Sequence, residues 1–512
     1  MTVPGSVHPA TGVPLPPVEW ATTDQVASAV AAARSAFRSW ATRPFAERAA
    51  LVRALARAVV ERRTEAAELL GMDLGRSSAD SLLSEVSTLI AYAEGAIAVA
   101  QRALAPERVR LSPLEFPGKR VVVEAVPRGV VAVIAPWNYP LLQLWKSLFP
   151  ALLAGNAVVI KPSEHAPRAP VWLGELCATV LPKALVSVVV GDGTVGSALV
   201  DADIDAIVFT GSVQTGRRVA TRAAERLLPC SIELGGKDAA IVLADADLER
   251  TVPGLLFGAL HNAGQDCSSV ERVIVEDAIA EALVDRLARA MGRLRVADGG
   301  AEAEVPPLQN AGQRDIVARH VRDAVVDGAR LVTGGKPVGS GFGFAPTLLD
   351  HCRPGMSVVD DETFGPVIAV LRARDAEHAL ELANTCRFGL NGSVWTGDLV
   401  RGEALARRLN VGVALVNNHS FTGVIPRLPW TGTGETGTGV AGSVHAYGVF
   451  VRRRTVVVDR SRAPEPYWFP VNSDLAELAD GVALLGLGRW SVLFRLLRAL
   501  RARVGAVTEL GR

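Results

Sequence analysis

The chain has 512 residues, 49% of them apolar and 21% charged, which is too long for one small domain and ample for two or three buried cores. Its 54 basic and 53 acidic residues leave a formal charge of +1, so no global field draws in a polyanion, and nucleic acid is not an expected partner. Five scattered cysteines (Cys177, Cys230, Cys267, Cys352 and Cys386) form no CxxC pair and have no histidines at ligand spacing, which argues for a reducing compartment and against a structural metal.

The first residues, Met1-Thr2-Val3-Pro4-Gly5-Ser6, contain neither a basic stretch nor an apolar run. Export is therefore not expected and a cytoplasmic location is. Apolar positions at helical spacing over residues 24–70, interrupted by Pro44, predict two amphipathic helices. A valine-rich run over 120–126, ended by Pro127-Arg128-Gly129, predicts a strand entering a turn before the apolar run 130–135. Short apolar runs at 157–160, 186–190, 206–209, 239–243, 273–275 and 414–416 then alternate with helical segments. That alternation implies parallel sheets with crossover helices, a doubly wound α/β architecture, and the length fits two such sheets. The one compositionally odd tract is Trp430-Thr431-Gly432-Thr433-Gly434-Glu435-Thr436-Gly437-Thr438-Gly439.

Beyond Asp459 come Tyr467-Trp468-Phe469-Pro470 and a leucine-rich stretch over 475–500. Trp490, Leu493, Phe494, Leu497 and Leu500 fall on one helical face, with Arg489, Arg495, Arg498 and Arg503 on its flanks. The arginines interrupt the apolar run before it reaches the roughly 20 residues a bilayer crossing needs. Packing on the body or on a partner subunit is the expectation; the sharper alternative is an interfacial anchor, with arginines at anionic headgroups.

Two segments carry the chemistry. Cys267, in Gly264-Gln265-Asp266-Cys267-Ser268-Ser269, follows Glu233 of Glu233-Leu234-Gly235-Gly236-Lys237 by 34 positions. A thiolate attacks an electrophilic carbon such as an aldehyde carbonyl, and a carboxylate with a raised pKa can take a proton from water. An isolated cysteine is more often buried and inert, but glycines in both segments allow close backbone approach to a ligand. Asn138, in Pro136-Trp137-Asn138-Tyr139-Pro140, is an amide donor for an oxyanion or else a turn residue before proline. Lys161 and Glu164 of Lys161-Pro162-Ser163-Glu164 end an apolar run, where α/β folds bind ligands. Gly211, Ser212 and Gly216 follow another such run and open a helix, whose N-terminus suits a pyrophosphate; Ser212 is equally an N-cap. Glu362 and Phe364 lie in Glu362-Thr363-Phe364-Gly365-Pro366-Val367, a run that by itself reads as a solvated loop.

Taken in chain order, these six blocks resemble the signatures of the aldehyde dehydrogenase superfamily over residues 8 to about 459. The resemblance implies one sheet for cofactor and one for the nucleophile: a cofactor-binding domain over 1–232, interrupted by a bridging hairpin at about 119–129, and a catalytic domain over 233–440. A bridging or oligomerisation strand would follow over 441–460, and the extension 461–512 has no counterpart in the common family core. It also implies Cys267 as nucleophile, Glu233 as general base and Asn138 as oxyanion donor. NAD, with NADP as the alternative, would lie on Trp137, Lys161, Glu164, Gly211, Ser212, Gly216, Glu362 and Phe364. Glu164 would repel a 2′-phosphate and so favour NAD. The expected reaction oxidises a small-molecule aldehyde to the acid through a cysteine thioester, in a homodimer or homotetramer. Transfer of the acyl group to coenzyme A and an idle, scaffold-like relative are the alternatives. Tyr139, Leu142, Gln143 and Trp145 are expected near the substrate entrance.

Overall fold

The computed structural model describes residues 6–112, 116–297 and 303–511, and these form two compact units. One is built from residues up to Leu104 and Val126–Arg452, the other from Ala105–Ala125 and Arg453–Arg512.

The first unit holds two parallel sheets. In the first the strands run in the order Val186–Val188, Ala157–Lys161, Val130–Ile134, Ala206–Thr210, Cys230–Glu233, and every pairing is parallel. All residues of Val130–Ile134 and Ala157–Lys161 are buried; strands covered by helices on both faces need apolar side chains at every position, so they read as unbroken apolar runs. Leu142–Ala154, Arg168–Val180, Gly193–Asp201 and Val213–Glu225 are its crossover helices. Residues 24–70 fold as three helices rather than two, Thr23–Trp40, Phe45–Glu61 and Arg63–Leu74. The extra break falls at Arg62, whose backbone leaves the helical region at φ −101°, ψ 25°. The first helix begins with a reciprocal capping box between Thr22 and Gln25, which satisfies N–H groups that the helix itself cannot. Residues 78–103 are apolar and long enough for a membrane crossing by composition, with half of that stretch buried; they form two helices, Ser78–Glu85 and Leu89–Ala103, in the core of this unit.

The second sheet has seven strands, ordered Arg330–Thr333, Thr347–Asp350, Val367–Ala373, Val270–Glu276, Asp238–Val242, Asn391–Trp395, Val413–Val416. Only the first pairing is antiparallel. Ile241, Val273, Ile274 and Val370 lie fully buried at its centre. The chain leaves the first sheet at Glu233 and enters the second at Asp238. C-terminal strand ends of one sheet are thus linked by four residues to N-terminal strand ends of the other.

The second unit has a three-stranded sheet in the order Glu107–Val109, Lys119–Pro127, Val451–Asp459. Residues 119–129 therefore hold one strand, antiparallel to Glu107–Val109, while the run after Gly129 belongs to the parallel sheet of the other unit. Lys119 pairs with Asp459 at 2.7 Å and with Glu465. The tail is a helical hairpin, Ser473–Gly486 and Leu493–Leu510. Its buried positions are Leu478, Gly481, Ala499, Arg503 and Val507; Leu496 packs directly over Gly481. The expected apolar stripe is not the covered one: Trp490 is 71% and Phe494 88% exposed. Arg503, expected on a flank, is fully buried. Its guanidinium donates to Pro466 O and Asn472 Oδ1, both at 2.9 Å, and to Trp468 O, and these bonds are what make a buried charge tolerable.

Candidate active site

The sequence-predicted residues gather where the two sheets of the first unit face each other. From the C-terminal ends of the five-stranded sheet come Trp137 and Asn138, Lys161, Gly211 and Ser212, and Glu233. Cys267, Glu362 and Phe364 precede the strands Val270–Glu276 and Val367–Ala373, so they come from N-terminal ends of the seven-stranded sheet. A cavity of about 290 Å³ lies between the two rims, and Trp137, Asn138, Thr210, Gly211, Ser212, Leu234, Gly235, Cys267, Glu362 and Phe364 all line it.

Glycines let three of these segments touch. A Cβ on Gly236 would lie 2.1 Å from the Cys267 carbonyl oxygen, and one on Gly235 would lie 2.3 Å from Glu362 Oε2. Glu362 accepts from Gly236 N at 3.0 Å. Beneath them Lys237 is buried against Glu271 and donates to Thr363 Oγ1 at 3.1 Å, while the Glu271 carboxylate takes the N–H groups of Thr363 and Phe364, each at 2.8 Å. The lysine of the Glu233–Lys237 segment therefore builds the loop that carries Glu362 and Phe364.

The Cys267 turn is wound left-handed over three consecutive residues, Asn262, Ala263 and Gly264, at φ 52°, 56° and 70°. Two of these are not glycine, a conformation that persists only where the surroundings over-determine it. Here Asn262 Nδ2 donates to Asn138 O and Gln265 O at 3.1 and 3.0 Å, and Gln265 Nε2 bonds Asn262 O and Pro307 O at 3.0 and 3.2 Å. Asn138 Nδ2 also donates to Gln265 O, at 3.1 Å, which aims its amide and leaves a second N–H. The Asn138 turn is held from behind by the buried pair Arg76–Glu85: Arg76 donates to Asn138 O and, at 2.8 Å, to Asn262 Oδ1. Glu85 Oε2 accepts from Leu141 N and Leu142 N at 2.7 and 2.9 Å.

Cys267 is half-buried, and burial, followed by the Asp266 charge, pushes its thiol well above the ordinary value. Burial likewise raises Glu233 to about 7, opposed by Lys146. The glycine-rich tract lies over Glu233. A Cβ on Gly439 would meet Glu233 Cγ at 2.6 Å, and Thr438 N and Gly439 N both donate to Ile232 O, at 3.0 and 2.7 Å.

Ser212 caps the helix Val213–Glu225, accepting from Thr215 N at 3.4 Å, and it lines the cavity as well. Opposite it, the Trp137 and Phe364 rings meet edge to face with centroids 5.5 Å apart. A helix N-terminus, a flat aromatic wall and the close-packed turn Gly235-Gly236 are surfaces that suit a dinucleotide. Lys161 and Glu164 stand outside the cavity lining, paired at 3.1 Å; against burial, Lys161 holds the Glu164 carboxyl below its usual range. Gly216 does not line the cavity either. A Cβ there would lie 2.3 Å from Leu234 Cδ2, so Gly216 lets the helix pack on the strand end.

A model of the aldehyde dehydrogenase family matches residues 4–456. The chain belongs to the aldehyde dehydrogenase family. It is 37% identical to 4,4'-diapolycopene aldehyde oxidase of Methylomonas sp over 90% of this chain and 87% of that one. Against betaine aldehyde dehydrogenase 1 of Rhizobium meliloti (strain 1021) the identity is 34%, covering 91% and 96%. Among solved structures, the NAD+ complex of the aldehyde dehydrogenase from Bacillus cereus superimposes with a TM-score of 0.85 at 31% identity, covering 90% of this chain and 94% of that one. The protein is an NAD(P)-dependent enzyme that oxidises a small-molecule aldehyde.

Sequence reading passed over several residues around the site of this aldehyde dehydrogenase. Lys146 is the sole charge in the apolar helix Leu142–Ala154; its ammonium lies 4.6 Å from the Trp430 ring centroid and acts on both Glu233 and Cys267. A lone lysine three positions after Gln143 was the available signal. Arg76 and Glu85 left no local signal, since they act through tertiary contacts. Of the residues expected at an entrance, Gln143 lines the cavity, but Trp145 is buried, with Nε1 donating to Glu85 O at 3.2 Å. Among the described residues one group of donors could surround a metal ion, Glu281, Asp350 and His351; Arg330 and Arg372 already pair with Glu281 and Asp350.

Proposed function

We propose that aldehyde oxidation takes place in the cavity between the two sheets, with Cys267 as nucleophile, Asn138 as oxyanion donor and Glu233 as base. The observation that carries this reading is that Cys267 and Asn138 share one cavity with Trp137, Ser212, Glu362 and Phe364, while Glu233 ends the strand whose continuation, Leu234 and Gly235, forms its wall. Cys267 Sγ adds to the carbonyl carbon, and the oxygen, now an alkoxide, rests on the second N–H of Asn138 and the backbone N–H of Cys267. Bound NAD(P) would supply the acceptor for the hydride on that carbon. The acyl group then remains on Sγ as a thioester. Glu233, whose pKa near 7 suits a base at neutral pH, takes a proton from water as the water attacks the thioester, and the acid departs from Sγ.

Ser212 and Trp137 would hold the pyrophosphate, Glu362 and Phe364 the nicotinamide ribose, and Lys161 with Glu164 the adenosine ribose, which favours NAD. Because Glu233 is present, water rather than coenzyme A is the acyl acceptor. The test is stopped-flow NADH absorbance on Glu233→Gln: a burst of one NADH per site followed by slow turnover supports the assignment. Equal loss of burst and steady rates would place Glu233 before hydride transfer. A screen over aliphatic, aromatic and semialdehyde substrates, with the diapolycopene aldehyde for which the Methylomonas relative is named, assigns the substrate.

The same reading extends to assembly and place. Val451–Asp459 is an edge strand on which every residue after Val451 is exposed, Val456, Val457 and Val458 among them, and an unpaired strand edge is a template for a second chain; this supports a homodimer or homotetramer. The exposed Trp490 and Phe494, with arginines beside them, support peripheral contact of this cytoplasmic enzyme with an anionic membrane. Sedimentation with and without anionic vesicles, on the full chain and on Trp490→Ser/Phe494→Ser, tests both: vesicle binding lost with mass unchanged supports the membrane contact, and an altered mass supports a subunit interface instead.

A further inference from the structure

One hydrogen-bonded chain of titratable side chains runs outward from Cys267 and has no part in the steps above. Cys267 Sγ lies 3.7 Å from Asp266 Oδ1, which also accepts from Ser268 N and Ser268 Oγ at 2.9 and 3.0 Å. The other oxygen, Asp266 Oδ2, accepts from Tyr139 OH at 3.2 Å, and the same hydroxyl meets His261 Nδ1 at 3.0 Å. His261 Nε2 lies 2.8 Å from Asp80 Oδ1 and 3.2 Å from Ser84 Oγ. Tyr139 has one hydroxyl proton and gives it to Asp266, so toward His261 Nδ1 its oxygen is the acceptor. His261 and Asp80 are 20% and 18% exposed, so the chain ends where water can reach it.

We propose that Asp266 is a catalytic base that takes the Cys267 proton during attack on the aldehyde, and that Tyr139, His261 and Asp80 position it. The inference rests on Cys267 being the nucleophile. In the first step the S–H bond breaks, the proton goes to Asp266, and the freed sulfur electron pair forms the bond to the carbonyl carbon. The proton stays on Asp266 until the acid departs from Sγ, and the sulfur then takes it back, which restores the starting state.

Geometry supports the division of labour. Burial keeps the thiol protonated at neutral pH, so a base within reach of Sγ is needed at the moment of attack. The charged groups acting on Cys267 are Asp266, Lys146, Asp238 and Glu362; those acting on Tyr139 are Asp266, Arg76 and Asp80. Asp80, although burial disfavours its charge, is held ionised by its bond to His261 and by Arg76. A charged partner for His261 thus stands at the outer end. Arg76 lies 4.6 Å from the Tyr139 ring centroid, and the Phe257 ring stacks on His261 at 4.8 Å, which together fix both rings.

The test separates a base from a mere negative charge, because the two make opposite predictions for Asp266→Asn. Removing the charge makes the thiol easier to ionise, so the pH midpoint for iodoacetamide labelling of Cys267, followed by peptide mass, falls. If Asp266 is the base, the NADH burst nevertheless slows by about 100-fold. Tyr139→Phe and His261→Gln, with the carboxylate still present, should slow the burst roughly 10-fold, and each should add little to Asp266→Asn because they act in one chain. Faster labelling with an unchanged or faster burst overturns the proposal, as does a fall in both, which marks damage to the turn. A normal burst in both Tyr139→Phe and His261→Gln overturns the positioning chain. NAD+ titration by fluorescence checks that each variant is folded. Persistence of the burst in Cys267→Ala would instead refute the nucleophile assignment, an outcome distinct from all of these.

Discussion

Gly264 and Gly365 meet backbone to backbone: a Cβ on Gly264 would lie 2.2 Å from the Gly365 carbonyl oxygen. The turn that presents Cys267 and the loop that presents Phe364 are therefore packed as one body. Gly264 also has φ +70°, so Gly264→Ala adds strain to a steric clash. The expected cost is about 2–4 kcal/mol, read as a lower midpoint of denaturant unfolding, together with weaker NAD+ binding. An unchanged midpoint would show that the two turns can separate freely.

Cys267→Ala should lower turnover by on the order of 10³-fold or more while leaving the dissociation constant for NAD+ within about twofold, since the thiol is one small part of the cavity wall. Steady-state NADH absorbance and a fluorescence titration measure the two quantities. Substantial turnover by this variant would sink the mechanism.

The pKa of Glu233, about 7 against an ordinary 4.5, predicts two pH dependences of opposite sense. Thioester hydrolysis needs the carboxylate, so its rate should climb with pH, reach half its plateau near 7 and flatten above. Stability runs the other way: a carboxyl whose folded pKa is raised favours the folded state fully below about 4.5 and loses that contribution as pH climbs through about 7. Glu233→Gln should therefore resist urea better than the parent at pH 8 and no better at pH 4. Lys146 opposes the rise, so Lys146→Met should move the hydrolysis midpoint upward, slowing the reaction more at pH 6 than at pH 9. A midpoint that stays put would mean that Lys146 does not act on this carboxyl.

Much of this was readable from the sequence, for specific reasons. Val130–Ile134 and Ala157–Lys161 are covered on both faces, so each appears as a bare apolar run. Gly235, Gly236 and Gly264 are spelled out because their close contacts leave no room for a side chain. Asp266 stood in plain view beside Cys267, but Tyr139 and His261, its continuation, are distant from each other in sequence and joined only by the fold. Arg62 interrupts a helix without leaving any residue-type signal, since arginine is a good helix former. In the tail, periodicity marked an apolar face but not which face would be covered; Arg503 looked like a solvated flank because only three carbonyl-type acceptors converging from elsewhere make its burial possible.

Glu164 is paired with Lys161 at 3.1 Å, which sharpens the cofactor prediction. Glu164→Gln removes the carboxylate and frees the ammonium, so the ratio of kcat/KM for NADP+ to that for NAD+ should increase by about 10-fold, mostly through KM. An unchanged ratio would mean that the pair points away from the 2′ position.

The second unit is assembled from Ala105–Ala125 and Arg453–Arg512, two segments separated by most of the chain. During synthesis the early strand must wait for its late neighbour, on the order of 15 to 65 s at usual ribosome speeds. Throughout that interval the long strand Lys119–Pro127 lacks its partner Val451–Asp459 and offers an open edge to other nascent chains. Yield in a cell should thus depend on translation rate and chaperone supply more than the stability of the finished enzyme would indicate.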